Sequence, residues 1–347
     1  MKENRLSIAS NNVIEAGNEI YRVFVIDTGS FAGLYTAMTG PGHPEGAGLN
    51  VLYGDGSPGT TYNTIRSYTS ETDYVQESTL STFSTVLLGP FGTTTLIGTT
   101  GVRTTYILPG PPVTPDALII ISEVNVSGTT FENSAINVIT TITNPNPNPL
   151  SAGIRYEWDY QIGADDGPTF QTINPEGEVL TTETQFDSPA FEMYRIEDND
   201  VNPNPPTFNI YGTVTGPAEF KPTPPDLLQY VSWPNAVSQA FEYTINPELD
   251  IATIAGGIND SAVLHFFGHN QENAITIPGV TSAGASLADA ENSITVSSSL
   301  ILAPPGPLPF KSVTYTRIVS DARTGTLSIT LEKRTINQRQ ILGGAVS

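Results

Sequence analysis

Oxygen-bearing side chains alternate along one short acidic segment of the chain. Within Glu197-Asp-Asn-Asp-Val-Asn-Pro-Asn204 the alternating residues are Asp198, Asp200, Asn202 and Asn204. Carboxylate and amide oxygens at this spacing are the ligands that a loop offers to Ca²⁺. Pro203, however, stands where a helix–loop–helix calcium loop needs glycine for its turn. We therefore interpret the segment as a polar hairpin loop, with bound Ca²⁺ as the alternative. No other motif requires a cofactor.

The chain has three histidines, which are His43, His265 and His269. The last two lie four residues apart in Leu264-His-Phe-Phe-Gly-His269, a pattern typical of a strand. Positions four apart on a strand share a face but are about 13 Å apart, too far to bind one metal ion. A turn at Gly268 would bring the two imidazoles together, so a metal pair stays open as an alternative. The context of His43, Pro41-Gly-His-Pro44, predicts an exposed loop.

Val25-Ile-Asp-Thr-Gly-Ser30 resembles the active-site loop of aspartic proteases. That chemistry needs two carboxylates that share one proton, so one motif is half of a site. No second motif of this kind follows a strand, although Asp27 of a second copy could complete a one-lobed enzyme. We interpret the motif as a turn that ends a strand. Nucleophile-elbow and phosphate-loop motifs are also missing, so the sequence identifies no catalytic residue.

Aromatic side chains are concentrated around residue 158. Tyr156, Trp158 and Tyr160 occupy alternate positions and therefore share one face of a strand. Aromatic residues at this spacing form a sandwich core, or they line a groove that stacks on sugar rings. If the groove is present, we expect Trp158, Tyr160 and Trp233 to contact the ligand.

Short segments in which apolar and polar residues alternate recur along the chain and predict strands. One of them, Tyr62–Tyr68, places Tyr62, Thr64 and Arg66 on the same side. Helix is sparse, and a single short helix is predicted at 226–231. The sequence thus predicts an all-β protein, an antiparallel β-sandwich of supersandwich-like size.

A Pro-rich stretch at 109–115 is the best candidate for a domain boundary. It divides an N-terminal β-sandwich part, residues 1–110, from a larger β-sandwich at 116–335, with 111–115 as the crossing. Residues 336–347 form a C-terminal extension. The alternative is a single unit in which the Pro-rich stretch only crosses between two sheets.

The segment from Ile154 to Trp233 carries a family resemblance. Gly163-Ala-Asp-Asp-Gly-Pro-Thr-Phe170 follows a strand, Thr182-Glu-Thr-Gln-Phe186 comes next, and Pro225-Asp226 precedes Trp233. This order resembles a group of uncharacterised bacterial β-rich proteins. The resemblance implies large antiparallel sandwiches of the galactose-mutarotase-like type and implies no activity. Mutarotases use His and Glu residues of a concave sheet, and the motifs of this sequence match no such set.

Charge excludes several functions. The 347 residues include 14 Lys+Arg and 35 Asp+Glu, for a net charge of −21, and no Cys. Phosphate backbones need clustered basic residues, so no nucleic-acid partner is expected.

No apolar run is long enough to span a bilayer. The polar start, MKENRLSIAS, lacks the apolar region of a signal peptide. The acidic composition favours an extracellular or surface location, with the cytoplasm as the alternative.

Together these features predict a non-catalytic structural protein that self-assembles through strand edges into a filament, layer or coat. Its C-terminal extension carries Ile336, Ile341 and Leu342, which could add a strand to the sheet of a neighbouring copy. The alternative is a carbohydrate-binding or sugar-modifying β-sandwich protein, with glycans as partners.

Overall fold

The structure is a computed structural model that describes residues 13–77, 80–131, 134–162, 168–173, 175–197, 209–215, 223–236, 238–249, 251, 262–269, 275–277, 293–303, 313–321 and 326–334. Side chains are described up to Ile251, apart from Pro234, and the later strands are described by their backbone.

Strands account for nearly all of the regular structure. The first eleven are β1 Val13–Gly17, β2 Tyr21–Ile26, β3 Tyr35–Thr39, β4 Tyr62–Ser67, β5 Thr72–Val75, β6 Ser84–Leu87, β7 Gly92–Ile97, β8 Gly101–Pro109, β9 Ala117–Ser127, β10 Ala135–Thr143 and β11 Leu150–Asp159. The remaining strands are β12 Thr169–Ile173, β13 Val179–Leu180, β14 Thr184–Asp187, β15 Met193–Glu197, β16 Asn209–Thr213, β17 Leu227–Ser232, β18 Ala262–His269, β19 Ile275–Ile277, β20 Ser293–Ala303, β21 Val313–Asp321 and β22 Thr326–Arg334.

Two large sheets form the body of the protein. The back sheet has nine strands in the order β13-β12-β15-β16-β20-β10-β9-β8-β7, and the front sheet has the order β14-β17-β18-β11-β4-β5-β6, with β19 also paired to β11. A smaller sheet, β1-β2-β3, and the hairpin β21-β22 complete the fold. All pairs between the described strands are antiparallel except β5 with β6. The predicted all-β antiparallel sandwich is therefore confirmed.

The core lies between the inner faces of the two large sheets. Strand β9 shows the cause, because Leu118, Ile120, Val124 and Val126 are buried at alternate positions while the residues between them are partly exposed. Alternation of this kind puts one side of each strand into the core. Side chains of the small sheet, such as Val23, belong to the same apolar cluster.

The predicted helix at 226–231 is wrong, because these residues form most of strand β17. Leu228 and Tyr230 are buried in the inter-sheet core, a two-residue period that a helix could not satisfy. The short helix of this region, Trp233–Ala236, begins only after the strand ends. None of the helices in the described part of the chain is long and apolar enough to cross a membrane.

Both large sheets combine strands from either side of residues 111–115. In the back sheet β8 pairs with β9 across this stretch, and in the front sheet β4 pairs with β11. The arrangement is the one that the single-unit alternative describes, while the domain boundaries themselves stay a prediction.

Candidate functional site

Strand β11, in the middle of the front sheet, separates aromatic from charged side chains by simple alternation. Tyr156 and Trp158 point into the inter-sheet core, where the indole Nε1 of Trp158 donates a hydrogen bond to Tyr35 Oη at 3.0 Å. Arg155, Glu157 and Asp159 occupy the positions between and therefore lie on the outer face, away from the back sheet. All three are fully buried.

The outer face of the front sheet thus carries a charged layer, which we define as Arg66, Asp73, Arg155, Glu157 and Asp159. At its centre, Arg155 Nη2 lies 2.8 Å from Glu157 Oε2. The hydroxyl of Tyr62, on the neighbouring strand, donates to the same carboxylate oxygen at 3.0 Å. Buried charges are stable only when paired and hydrogen-bonded in this way.

A second ion pair lies beside the first on strands β4 and β5. Arg66 binds Asp73 through two nitrogens, with Nε–Oδ1 and Nη2–Oδ2 distances of 2.7 and 2.8 Å. The guanidinium group is also held between two aromatic rings, 4.2 Å from the centroid of Phe83 and 4.5 Å from that of Phe241. Planar stacking and bidentate pairing together fix the orientation of Arg66.

The strand register aligns polar residues of five neighbouring strands in a row, here called the polar row. Each neighbouring pair in the row is directly opposed, and its members are Tyr62 (β4), Glu157 (β11), His265 (β18), Gln229 (β17) and Gln185 (β14). Directly opposed residues of antiparallel strands have Cβ atoms about 4.5–5.5 Å apart. The register therefore places a glutamate and a histidine at adjacent positions in the centre of a sheet face.

Residues 238–249, here called the roof, cover the outer face. Arg155 donates hydrogen bonds to two main-chain carbonyls of the roof, Gln239 O at 2.7 Å and Phe241 O at 3.1 Å. Gln229 donates to a third carbonyl, Tyr243 O, at 2.9 Å. Arg155 of the charged layer and Gln229 of the polar row are thus hydrogen-bonded to the roof.

Burial shifts the acid–base behaviour of two carboxyl groups here. It raises the pKa of Glu157 from 4.5 to about 8, because burial outweighs the opposing effects of Arg155 and Tyr62, and Asp159 and Glu77 add repulsion. It also raises the pKa of Glu77, just after strand β5, to about 7. Both carboxyl groups therefore gain and lose a proton near neutral pH, which is the range that general acid–base chemistry requires.

The structure corrects the predicted aromatic platform. Trp158 and Tyr160 are at most 1% exposed and lie in the inter-sheet core, so neither side chain can stack on a ligand from solvent. Trp233 is half-buried and packs at the outer face beside Val231, with Tyr243 of the roof in the same cluster. Of the three aromatic residues, Trp233 is the one that lies outside the inter-sheet core.

Other sequence predictions fall elsewhere. His43 lies in a loop, as its context predicts, but the predicted exposure is wrong, because His43 is 4% exposed and its ring packs against the rings of Tyr21 and Phe131. This burial lowers the pKa of His43 to about 4. Strand β18 runs unbroken from Ala262 to His269, so the backbone makes no tight turn between the two later histidines.

Asp27 follows strand β2 in a turn, as predicted by the interpretation of its motif as a turn that ends a strand. The calcium-loop residues Asp198, Asp200, Asn202 and Asn204 lie outside the described residues, as do the assembly residues Ile336, Ile341 and Leu342. Within the described part of the chain, no group of three or more His, Asp or Glu side chains is arranged to hold a metal ion.

An open groove of about 700 Å³ lies in another part of the molecule, and no residue of the charged layer lines it. Its walls include Glu15 and Arg22, which form an ion pair at 2.8 Å with both side chains 45% exposed. Solvated pairs of this kind interact weakly. The charged layer is therefore the stronger candidate site.

Sequence reasoning missed the charged layer although a signal for it was present. Tyr62, Thr64 and Arg66 share one side of β4, and Arg155, Glu157 and Asp159 share one side of β11. A charge at every second position of a strand whose other face is aromatic indicates either a solvated surface or a buried site. Only the roof distinguishes the two, and its contacts are distant in sequence.

Comparison with known proteins gives matches of structure only. No protein-family model matches the chain, and no curated protein matches it. A galactose mutarotase-like protein from Lactobacillus casei is similar at 8% identity, over 84% of this chain and 100% of that chain, with a TM-score of 0.45. The Slr1438 protein from Synechocystis sp. is similar at 9% identity, over 85% and 96%, with a TM-score of 0.47. A galactose mutarotase related enzyme from Lactobacillus acidophilus is similar at 7% identity, over 84% and 97%, with a TM-score of 0.43.

Proposed function

We propose that this chain is a carbohydrate-binding protein that modifies its sugar by proton transfer at the outer face of the front sheet. The observation that carries the proposal is the polar row, in which register sets Glu157 directly opposite His265. Tyr62 and Gln229 flank this pair on the neighbouring strands. Hydroxyl, amide, carboxyl and guanidinium groups on one rigid face are suited to a ligand with many hydroxyl groups.

The reaction that fits this pair is the opening and closing of a sugar ring. Glu157, which is protonated at neutral pH because its pKa is about 8, donates its proton to the ring oxygen. His265 accepts the proton of the hydroxyl on the anomeric carbon. The bond between that carbon and the ring oxygen breaks, and an open-chain aldehyde forms. Reversal of both transfers after rotation of the aldehyde closes the ring in the other anomeric form.

Polarimetry on freshly dissolved α-glucose and α-galactose tests the proposal. We expect the protein to accelerate the change in optical rotation, and Glu157→Gln and His265→Asn each to reduce the rate about 100-fold or more, since a general acid or base contributes roughly that factor. Glu19→Gln, at an exposed position outside the polar row, is the matched control and should keep the full rate. Unchanged rates in both row variants would exclude the assigned roles, and no acceleration by the native chain would exclude the reaction.

Self-assembly is a second proposal, favoured by an exposed apolar stripe on the outer face of the back sheet. Ile107, on β8, is 59% exposed and stands opposite Ile119 of β9, with Ile121 two residues farther along. Burying such a stripe against a second copy removes apolar surface from water. The role of the C-terminal extension in joining the copies belongs to the same proposal.

A further inference from the structure

The edges of the two large sheets differ in how they are protected against pairing with another chain. At one end of each sheet the last described strands are β13 in the back sheet and β14 in the front sheet. Strand β13 has only two residues and follows the exposed residues Glu176 and Glu178, while β14 carries the exposed Asp187. Short length and charge are common means by which proteins keep sheet edges from pairing. These two edges are therefore protected.

The edges at the other end, β6 and β7, have no such protection. Among the described strands, β6 pairs with β5 alone and β7 pairs with β8 alone. Both strands lie within residues 80–102, a segment without Asp, Glu, Lys or Arg in a chain whose net charge is −21. Leu87 of β6 is 38% exposed, and Leu96 of β7 is 55% exposed. An uncharged edge with exposed apolar side chains is suited to strand addition.

Strand β7 is the better suited of these two edges. It has six residues, Gly92–Ile97, against four in β6, and four of the six are Thr or Ile, which are favoured in strands. No Pro interrupts β7, and its register with β8 is continuous from Gly92 opposite Tyr106 to Ile97 opposite Gly101. Strand β7 therefore presents a regular edge that carries no charge.

We propose that two copies of this chain associate through β7, which pairs antiparallel with β7 of the second copy about a two-fold axis. The back sheet then continues from one copy into the other, and main-chain groups on the open side of β7 bond to their counterparts. This inference rests on the self-assembly proposal and names the contact between the copies.

Charge identifies a second copy as the partner. Each copy has a net charge of −21, so repulsion opposes contact between two copies wherever carboxylates are concentrated. In a two-fold antiparallel pair the same few residues face each other, and like charges in opposed positions destabilise such a pair. An uncharged strand avoids this repulsion. A basic partner would gain no attraction at β7 and would bind the acidic surface instead.

Sedimentation velocity of the full-length protein over a range of concentrations tests the inference. We expect the native chain to form dimers as its concentration rises. Leu96→Glu should raise the dimer dissociation constant about tenfold or more, because it brings two carboxylates together across the two-fold axis. Thr93→Glu, at an exposed position of the same strand, should have the same effect. Val179→Glu is the matched control and should keep the native dissociation constant, since Val179 is 42% exposed on the opposite edge of the back sheet and the substitution changes the net charge equally.

Hydrogen exchange identifies the strand that becomes paired. Amides within residues 92–97 should gain protection as the dimer forms, and those of Val179 and Leu180 should not. Dimers that persist unchanged in both Leu96→Glu and Thr93→Glu would overturn this contact and leave self-assembly through another surface. A native chain that stays monomeric would overturn the inference and the self-assembly proposal together, and the proposed sugar chemistry would stand apart from both.

Discussion

At the scale of single residues, Glu157 shows how a carboxyl group acquires a neutral pKa inside a sheet. The residue is fully buried, and its partners Arg155 and Tyr62 offset only part of the cost of removing a charge from water. Protonation removes that cost, so the acid form is retained up to about pH 8. The same property that suits Glu157 to proton donation makes the folded protein sensitive to pH.

This sensitivity has a definite sign. The folded-state pKa of Glu157 lies above 4.5, so the folded chain holds a proton that the unfolded chain has released. Stability therefore falls as pH rises from about 4.5 to 8, by at most about 1.4 kcal/mol per pH unit for one proton, and the contribution levels off above pH 8. Urea unfolding at pH 5 and pH 8.5 should show a smaller loss of stability in Glu157→Gln than in the native protein.

The matched control for this measurement is Glu19→Gln, which makes the same substitution at an exposed position. It should lose as much stability as the native chain over the same interval. If Glu157→Gln behaved identically to Glu19→Gln, the pH dependence would arise from general charge repulsion and not from the buried carboxyl group.

At the scale of elements, the roof determines whether the charged layer can bind a ligand or only stabilises the fold. Its carbonyls accept hydrogen bonds from Arg155 and Gln229 in positions that ligand oxygens would otherwise take. A further contact fixes one end, since Leu80 and Gln239 form an isolated parallel bridge. Ligand binding at the outer face thus requires the roof to move away from Arg155.

A reversible covalent clamp tests this requirement, and the absence of native cysteine makes it specific. Leu80→Cys combined with Gln239→Cys joins two residues that are already bridge partners. The oxidised protein should bind sugar at least tenfold more weakly than the reduced protein, since the roof can no longer open. Each single-cysteine variant is a control, and oxidation should not change its affinity for sugar. Equal sugar binding by the clamped and reduced forms would show that the roof does not gate the site.

At the same scale, the local sequence predicted the wrong secondary structure for one segment. Residues 226–231 resemble a short helix, yet they form a strand because they lie between β14 and β18 in the front sheet. Leu228 and Tyr230 fill the core on one side while Gln229 joins the polar row on the other. Pairing on both edges outweighs a weak local preference, and such pairing is not visible in the segment itself.

At the scale of the whole molecule, the apolar stripe and the C-terminal extension bear on assembly. Among the described strands, β7 is the last one at its end of the back sheet, and the stripe of Ile107 and Ile119 lies on the two strands that follow it inward, β8 and β9. An open edge beside an apolar surface favours association with a second copy.

Deletion of residues 336–347 tests the assembly proposal. The shortened chain should keep its fold, judged by an unchanged far-ultraviolet circular dichroism spectrum, and should lose any ordered polymer seen by electron microscopy. Ile107→Lys, on the exposed stripe, should weaken assembly while changing stability by about 0.5 kcal/mol or less, as expected for a surface position. Assembly that persists in both variants would contradict the proposal.

The sequence by itself determined the all-β class, most strand positions and the alternation of aromatic and charged residues along β11. These follow from the two-residue period of a strand, which fixes the face that each side chain takes relative to its neighbours in the same strand. Only the tertiary structure decided that Glu157 stands opposite His265, and that the roof buries a face which the charges alone would assign to solvent. Register joins residues about 100 positions apart, and no local pattern records it, because it is set by which strands lie side by side and by what packs over them.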